Sequence, residues 1–161
     1  MATAHRKPDV QSPDLRNEGL YESDFHAWTE TQAALIRAGR VGELDLPNIL
    51  EEIESLGRGE RRELVNRLTV LITHLLKWQF QPKRRSRSWL GTIVEQRRRI
   101  ARHVRENPSL GPFLREAMDL AFEDAVAIAA AETGLDRALF PASLPFTFDQ
   151  LVDPDFLPGD L

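Results

Sequence analysis

The sequence predicts an all-α protein, an antiparallel helical bundle of about four main helices with a C-terminal proline/aromatic-rich arm. Three observations carry this. Apolar residues recur at helical spacing through four long stretches, and no stretch alternates as a half-buried strand does. Serine, aspartate, proline and glycine stand where helix ends need them. Residues 60–80 place Leu64, Val65, Leu68, Leu71, Ile72, Leu75, Leu76 and Trp78 on one face. That face is ~160° wide, which requires neighbours on more than one side.

The bulk numbers bound the rest. A chain of 161 residues suits one domain with a substantial core. Apolar residues at 42% and charged residues at 29% are ordinary for a globular protein. With no cysteine, disulfides, thiolate metal sites and cysteine nucleophiles are excluded, and a cytoplasmic setting is expected. No apolar run approaches the ~18 residues of a membrane span, so no membrane partner is expected. Residues 1–19 lack a secretory core and read as a disordered or loosely attached lead. Residues 20–161 read as a single helical domain.

The first helix is predicted over 20–39, with Ser23 as N-cap, Asp24 in the first turn and Gly39 as the stop. Phe25, Trp28, Leu35 and Ile36 share its inner face, and Gln32 falls inside that stripe as a core amide bonded to backbone. Asp45 caps the next helix and Pro47 sits in its first turn, where its missing N–H costs little. Leu46, Ile49, Leu50, Ile53 and Leu56 form its apolar stripe. Glu52 and Glu54 flank that stripe on opposite sides, so at least one should meet a packed boundary. Gly57-Arg58-Gly59 either breaks the helix or lets it run on to Phe80, each glycine costing about 1 kcal/mol.

Gln81-Pro82 ends that helix. Ser86 or Ser88 caps the next, to about Glu106, with Trp89, Leu90, Ile93, Ile100 and Val104 inward and Arg97 inside the stripe. A last long helix is expected over 110–132, alanine-rich, with Asp124 on the face of Phe113, Ala117, Leu120 and Ile128, and Thr133-Gly134 stops it. The arm that follows contains one short helix near 147–152.

Charge is segregated. Residues 77–105 hold ten basic side chains against Glu95, a balance of +9, whereas residues 106–161 hold two against eleven, a balance of −9. Two explanations stand: the basic and acidic helices lie side by side and neutralise each other, or the basic surface meets an anionic partner.

The segments LYESDFHAWTETQAALIRAG, LDLPNILEEIESLG, HLLKWQFQP and RRSRSWLGTIVEQRRRIARH resemble those of the DUF29 family, and the likeness continues through ENPSL, AAAETGL and FPASLPFTFDQLVDPDFLP. It covers roughly residues 20–158. The resemblance implies an all-helical bacterial domain with no established activity, cofactor or catalytic residues. It marks Trp28, Glu51, Glu52, Glu54, His74, Lys77, Trp78, Arg84, Ser88 and Trp89 as characteristic positions. Phe80 and Phe122 stand where the family would often have tyrosine.

No constellation specifies a reaction, so catalytic residues are unknown. Glu51, Glu54, His74 and His103 are metal-ligand types. The Glu-x-x-His pairs of a bundle di-metal site are absent, because Leu71 and Ile100 stand three residues before the two histidines. No metal and no cofactor are predicted. Ser86 or Ser88 with His74 lacks an orienting third group. Glu51, Glu54, His74, Arg97 and Asp124 form the candidate polar site, with Arg97–Asp124 the preferred pair and Glu54 the competitor for Arg97 or His74. They serve either as a register device or as a small-molecule or anion pocket. Lys83, Arg84, Arg85 and Arg87 form the candidate anion-binding group. A pI of 5.6 and the absence of aromatic interleaving weigh against a dedicated nucleic-acid binder.

The function that fits best is a protein-interaction module, its partner another protein or a second copy of the chain, as in a homodimer. Nucleic-acid or anion binding through 83–105 is the alternative. An enzyme or metal site around His74 and Glu51/Glu54 ranks last.

Overall fold

A computed structural model describes residues 19–159, so the predicted lead lies almost wholly outside the described residues. The described chain is all-α and contains no strand: six α-helices, four of them long, joined by short 3₁₀ segments. The chain divides into two compact units, Met1–Ser55 and Leu56–Leu161.

The first unit begins with α1, Leu20–Ser23, and α2, Phe25–Arg37. The single helix predicted over 20–39 is broken at Asp24, whose backbone leaves the helical region at φ −149°, ψ 83°. The Asp24 carboxylate accepts the Ala27 N–H at 3.0 Å, so Asp24, rather than Ser23, is the N-cap. Gly39, at φ +68°, turns the chain just beyond α2. Trp28, Gln32 and Leu35 are buried, while Phe25 and Ile36 lie on the exposed edge of the stripe. After a 3₁₀ turn, Val41–Glu43, the chain enters α3, Leu46–Phe80.

Helix α3 passes through Gly57-Arg58-Gly59 without a break. Two glycines cost about 2 kcal/mol in a helix interior. The fully buried Leu64, Leu68, Leu71, Ile72, Leu75 and Leu76 that follow offset more than that.

The second unit packs the C-terminal part of α3 with α4, Arg87–Glu106, and α5, Leu114–Thr133. The Ser86 hydroxyl caps α4 by accepting the Trp89 N–H at 3.2 Å. Directions follow from the contacts. Lys77, near the end of α3, lies 4.6 Å from the ring of Trp89 at the start of α4, and His103, near the end of α4, reaches back to Glu60. Helices α3 and α4 are therefore antiparallel. Arg61 stacks over Phe113 just before α5, and Lys77 pairs with Glu132 near its end, so α5 runs parallel to α3.

One apolar core joins these three helices to the arm. Ile93 and Ile100 enter from α4, and Ala117, Met118, Ala121, Phe122, Ala125, Val126 and Ala129 from α5. The expected inner face of α5 is displaced: Leu120, Asp124 and Ile128 point to solvent. The alanine row at 117, 121, 125 and 129 lets a neighbouring helix approach closely, and Met118, Phe122 and Val126 fill the space beside it. Leu90 of α4 is likewise exposed, contrary to expectation.

Gly134, in the left-handed region at φ +72°, ends α5. The arm then returns through a 3₁₀ turn, Arg137–Leu139, to α6, Phe148–Val152, where Thr147 and Gln150 form a capping box. Phe140, Phe146 and Leu151 of the arm are buried in the core.

Candidate functional site

In the first unit Trp28 and Gln32 face inward with Leu35, while the aliphatic row of α3 faces outward. The Trp28 indole N–H donates to the Asp45 carboxylate at 3.0 Å, and the Asn48 amide donates to the same oxygen at 2.8 Å. The Gln32 side-chain carbonyl accepts the Asp45 backbone N–H at 2.9 Å. Gln32 is thus a core amide bonded to backbone, as its place in the stripe predicts. The hydrogen bond from Asn48 holds the Asp45 carboxyl below its ordinary range, against the opposing effect of burial, and Trp28 adds to the lowering. Tyr21 donates its hydroxyl to Glu52, and this bond pushes the phenol up to about 12. The ring of Tyr21 also meets Phe25 and Trp28 edge-on.

These bonds fix the rotation of α3 about its axis in this unit. Asp45, Asn48 and Glu52 turn toward the groups on α1 and α2. At ~100° per residue, Leu46, Leu50 and Ile53 then lie roughly 130° around the helix from that contact. They are 57%, 57% and 60% exposed. The apolar stripe expected to pack inward is instead an open face, edged by the exposed Glu51 and Glu54. Ile36 and Val41 of the same unit are also exposed.

The members of the predicted polar site fall in different places. Glu51 and Glu54 belong to the first unit, at the edge of that apolar face. In the second unit, the half-buried His74 donates from Nδ1 to the Val70 carbonyl of its own helix at 2.8 Å. Arg97 is buried, and it does not pair with Asp124. Its guanidinium donates to the carbonyl oxygens of Leu151 at 2.9 Å, Pro154 at 3.4 Å and Phe156. Asp124 is exposed on α5. Burial pulls the Arg97 guanidinium down from its ordinary value, and the charge of Asp153 opposes that shift. Arg97 therefore clasps the arm through its backbone.

The sequence reading missed a second buried cation. Lys77, 7% exposed, pairs with Glu132 and lies over Trp89. Its signal was its position in the apolar stretch of α3, among residues that become core.

Of the predicted anion group, Lys83, Arg84 and Arg87 are exposed. Arg85 is half-buried and donates to the Trp78 carbonyl at 2.9 Å, with its guanidinium 5.2 Å from the Trp78 ring. The charge extends along the outer side of α4. Arg87, Gly91, Val94, Arg98, Ala101, Arg102 and Arg105 share an arc of ~100° and all are exposed. A depression of about 750 Å³ opens there, lined by Gly91, Val94, Arg98, Ala101, Arg102 and Arg105 among others.

Among the described residues, no carboxylate lies within ion-pair distance of Arg84, Arg87, Arg98, Arg102 or Arg105. Arg99 pairs with Glu95 one turn away on its own helix. The expected neutralisation of the basic helix by an acidic neighbour is not formed there, because α5 turns its alanine face, not its carboxylates, to the core.

A smaller polar cleft of about 400 Å³ lies between α3 and α4, where His103 Nε2 donates to the Glu60 carbonyl at 3.0 Å and Glu63, Arg67, Arg99, Arg102 and Glu106 complete the wall. Among the described residues no three histidine or acidic side chains converge to hold a metal ion. No described helix is long and apolar enough to cross a membrane.

Searches of curated proteins and of solved structures returned no match to this chain. A family model does match, that of the domain of unknown function DUF29, over residues 20–157. That span takes in both units, the open face of α3, the basic side of α4 and the clasped arm, and the chain belongs to the DUF29 family.

Proposed function

We propose that this protein is a bacterial, cytoplasmic helical interaction module that docks a partner on the open face of its first unit. The observation that carries the reading is the exposure of Leu46, Leu50 and Ile53, three large aliphatic side chains on successive turns of one helix. Single exposed aliphatics are commonplace, but a row of them on one helix side is the pattern of a docking face. The absence of cysteine supports the cytoplasmic setting.

A photo-reactive residue at position 50, activated in cells, tests this. A control at Glu123, exposed on α5, reports non-specific encounter. A discrete adduct from position 50 alone supports the module. A smear from both positions, or no adduct, removes it.

The exposed arginines of α4 favour a second reading, binding of nucleic acid or another polyanion. It requires affinity for DNA or RNA that falls steeply as salt rises. No comparable observation favours catalysis at His74, whose Nδ1 is committed to a carbonyl of its own helix.

A further inference from the structure

We infer that the partner of the open face is a second copy of this chain, docked through the basic outer side of its α4. The inference rests on the interaction reading and names the occupant.

Two exposed surfaces on the chain match each other. The first is the α3 face, where Leu46, Leu50 and Ile53 form one edge and Glu51 and Glu54 the other. The second is the outer side of α4. Val94 is 45% exposed and Leu90 38%, and with Ala101 they line one edge, while Arg98, Arg102 and Arg105 line the other.

Spacing matches as well as kind. Leu46 to Ile53 spans seven residues, or ~10.5 Å of helix rise, and Leu90 to Ala101 eleven, or ~16.5 Å, so the apolar row of α3 fits within that of α4. Gly91 and Ala101 leave room for a second helix to come close. Charge agrees over the larger surfaces too. Residues 19–55 carry eight acidic side chains against two arginines, and residues 82–106 carry nine basic against two acidic. Opposed patches of this kind steer association and fix register.

Every copy carries one face of each type. A pair engages both faces reciprocally about a two-fold axis, or one face each, which leaves a free face at either end for further copies.

Sedimentation velocity over a concentration series tests this on the full chain. Wild type is expected to associate to dimer or beyond as concentration rises and to shift back toward monomer when salt rises from about 0.05 to about 0.5 M. Ile53→Gln, or Arg98→Glu with Arg102→Glu, should each weaken association more than about tenfold. All three positions are exposed, so both variants should keep the wild-type helical signal.

Mixing the two variants is the decisive arm. Each supplies the face the other lacks, so the mixture should give one-to-one dimers that grow no further. A variant that failed to fold could not complement. A wild type that stays monomeric overturns the inference, and so does a mixture that stays monomeric. If wild type is monomeric yet position 50 still yields a discrete adduct with a different protein, the interaction reading stands and only the occupant is wrong. If the arginine variant loses DNA or RNA binding while self-association is unchanged, α4 serves a polyanion and the inference falls.

Discussion

The two units solve the same problem with opposite materials. The second is held by a contiguous apolar core from three helices and the arm, with its two buried cations committed to specific acceptors or rings. The first has few buried aliphatics, and its helices are joined by Trp28, Gln32, Asp45 and Asn48 and by Tyr21 with Glu52. A hydrogen-bonded joint specifies rotation more sharply than an oily one does, because each bond is directional. That specificity is spent on turning an apolar row outward.

The contrast can be broken at several points. The largest effect belongs to the core: Leu71→Ala should cost about 2–5 kcal/mol, read from denaturant unfolding. A loss under 1 kcal/mol would mean that the core is not packed as described. Arg97→Ala should follow at about 2–3 kcal/mol, because three carbonyls of the arm lose a charged donor. Amide exchange should quicken first in α6, and Arg97→Lys should restore little, since an ammonium lacks the planar fork.

In the first unit Trp28→Phe keeps the ring and removes the indole donor, so a loss of about 1 kcal/mol is expected, seen as lower helix protection in α2. Tyr21 is the only tyrosine, so its phenolate absorbance titrates one group. Its midpoint should lie near 12 and move back toward 10 in Glu52→Gln. Because the folded pKa is raised, the Tyr21 contribution is fully present below pH 10 and is lost as pH rises through the folded value. Asp45 has the opposite sign. Its folded pKa is lowered, so its contribution is present above about 3.8 and disappears as pH falls through the folded value. The smallest effect should come from Leu50→Ser, within about 0.5 kcal/mol for the isolated chain. A cost several times larger would show that this face is covered.

Helix ends other than the start of α2, where Asp24 and not Ser23 is the cap, were legible in the sequence because caps act locally. Ser86, Gly134 and Thr147 each do what their residue type predicts. The burial of Gln32 and Arg97 was legible too, because polar residues inside an apolar stripe go inward with it. The rotation of a helix was harder to read. In the first half of α3 the aliphatic stripe and the Asp45–Asn48–Glu52 side compete for the contact, and tertiary partners on α1 and α2 decide it. In α5 the alanines won over Leu120 and Ile128, because close approach depends on what is absent from a side chain. The partner of Arg97 was the least legible. A carboxylate announces itself in a sequence, whereas every residue carries a carbonyl.

That clasp sets an order of events during synthesis. Arg97 is separated from its acceptors by 54 to 59 residues. While the ribosome is still making α5, the guanidinium has no acceptor from the arm, and the site it will occupy must stay hydrated. The core between α3 and α4 can therefore gather early but can seal only once the segment through Phe156 has emerged. The clasp spans more than fifty residues, so it is among the last contacts to form. A nascent chain stalled before Leu151 should hold helices without a closed interior, open to proteases and chaperones that the finished protein excludes.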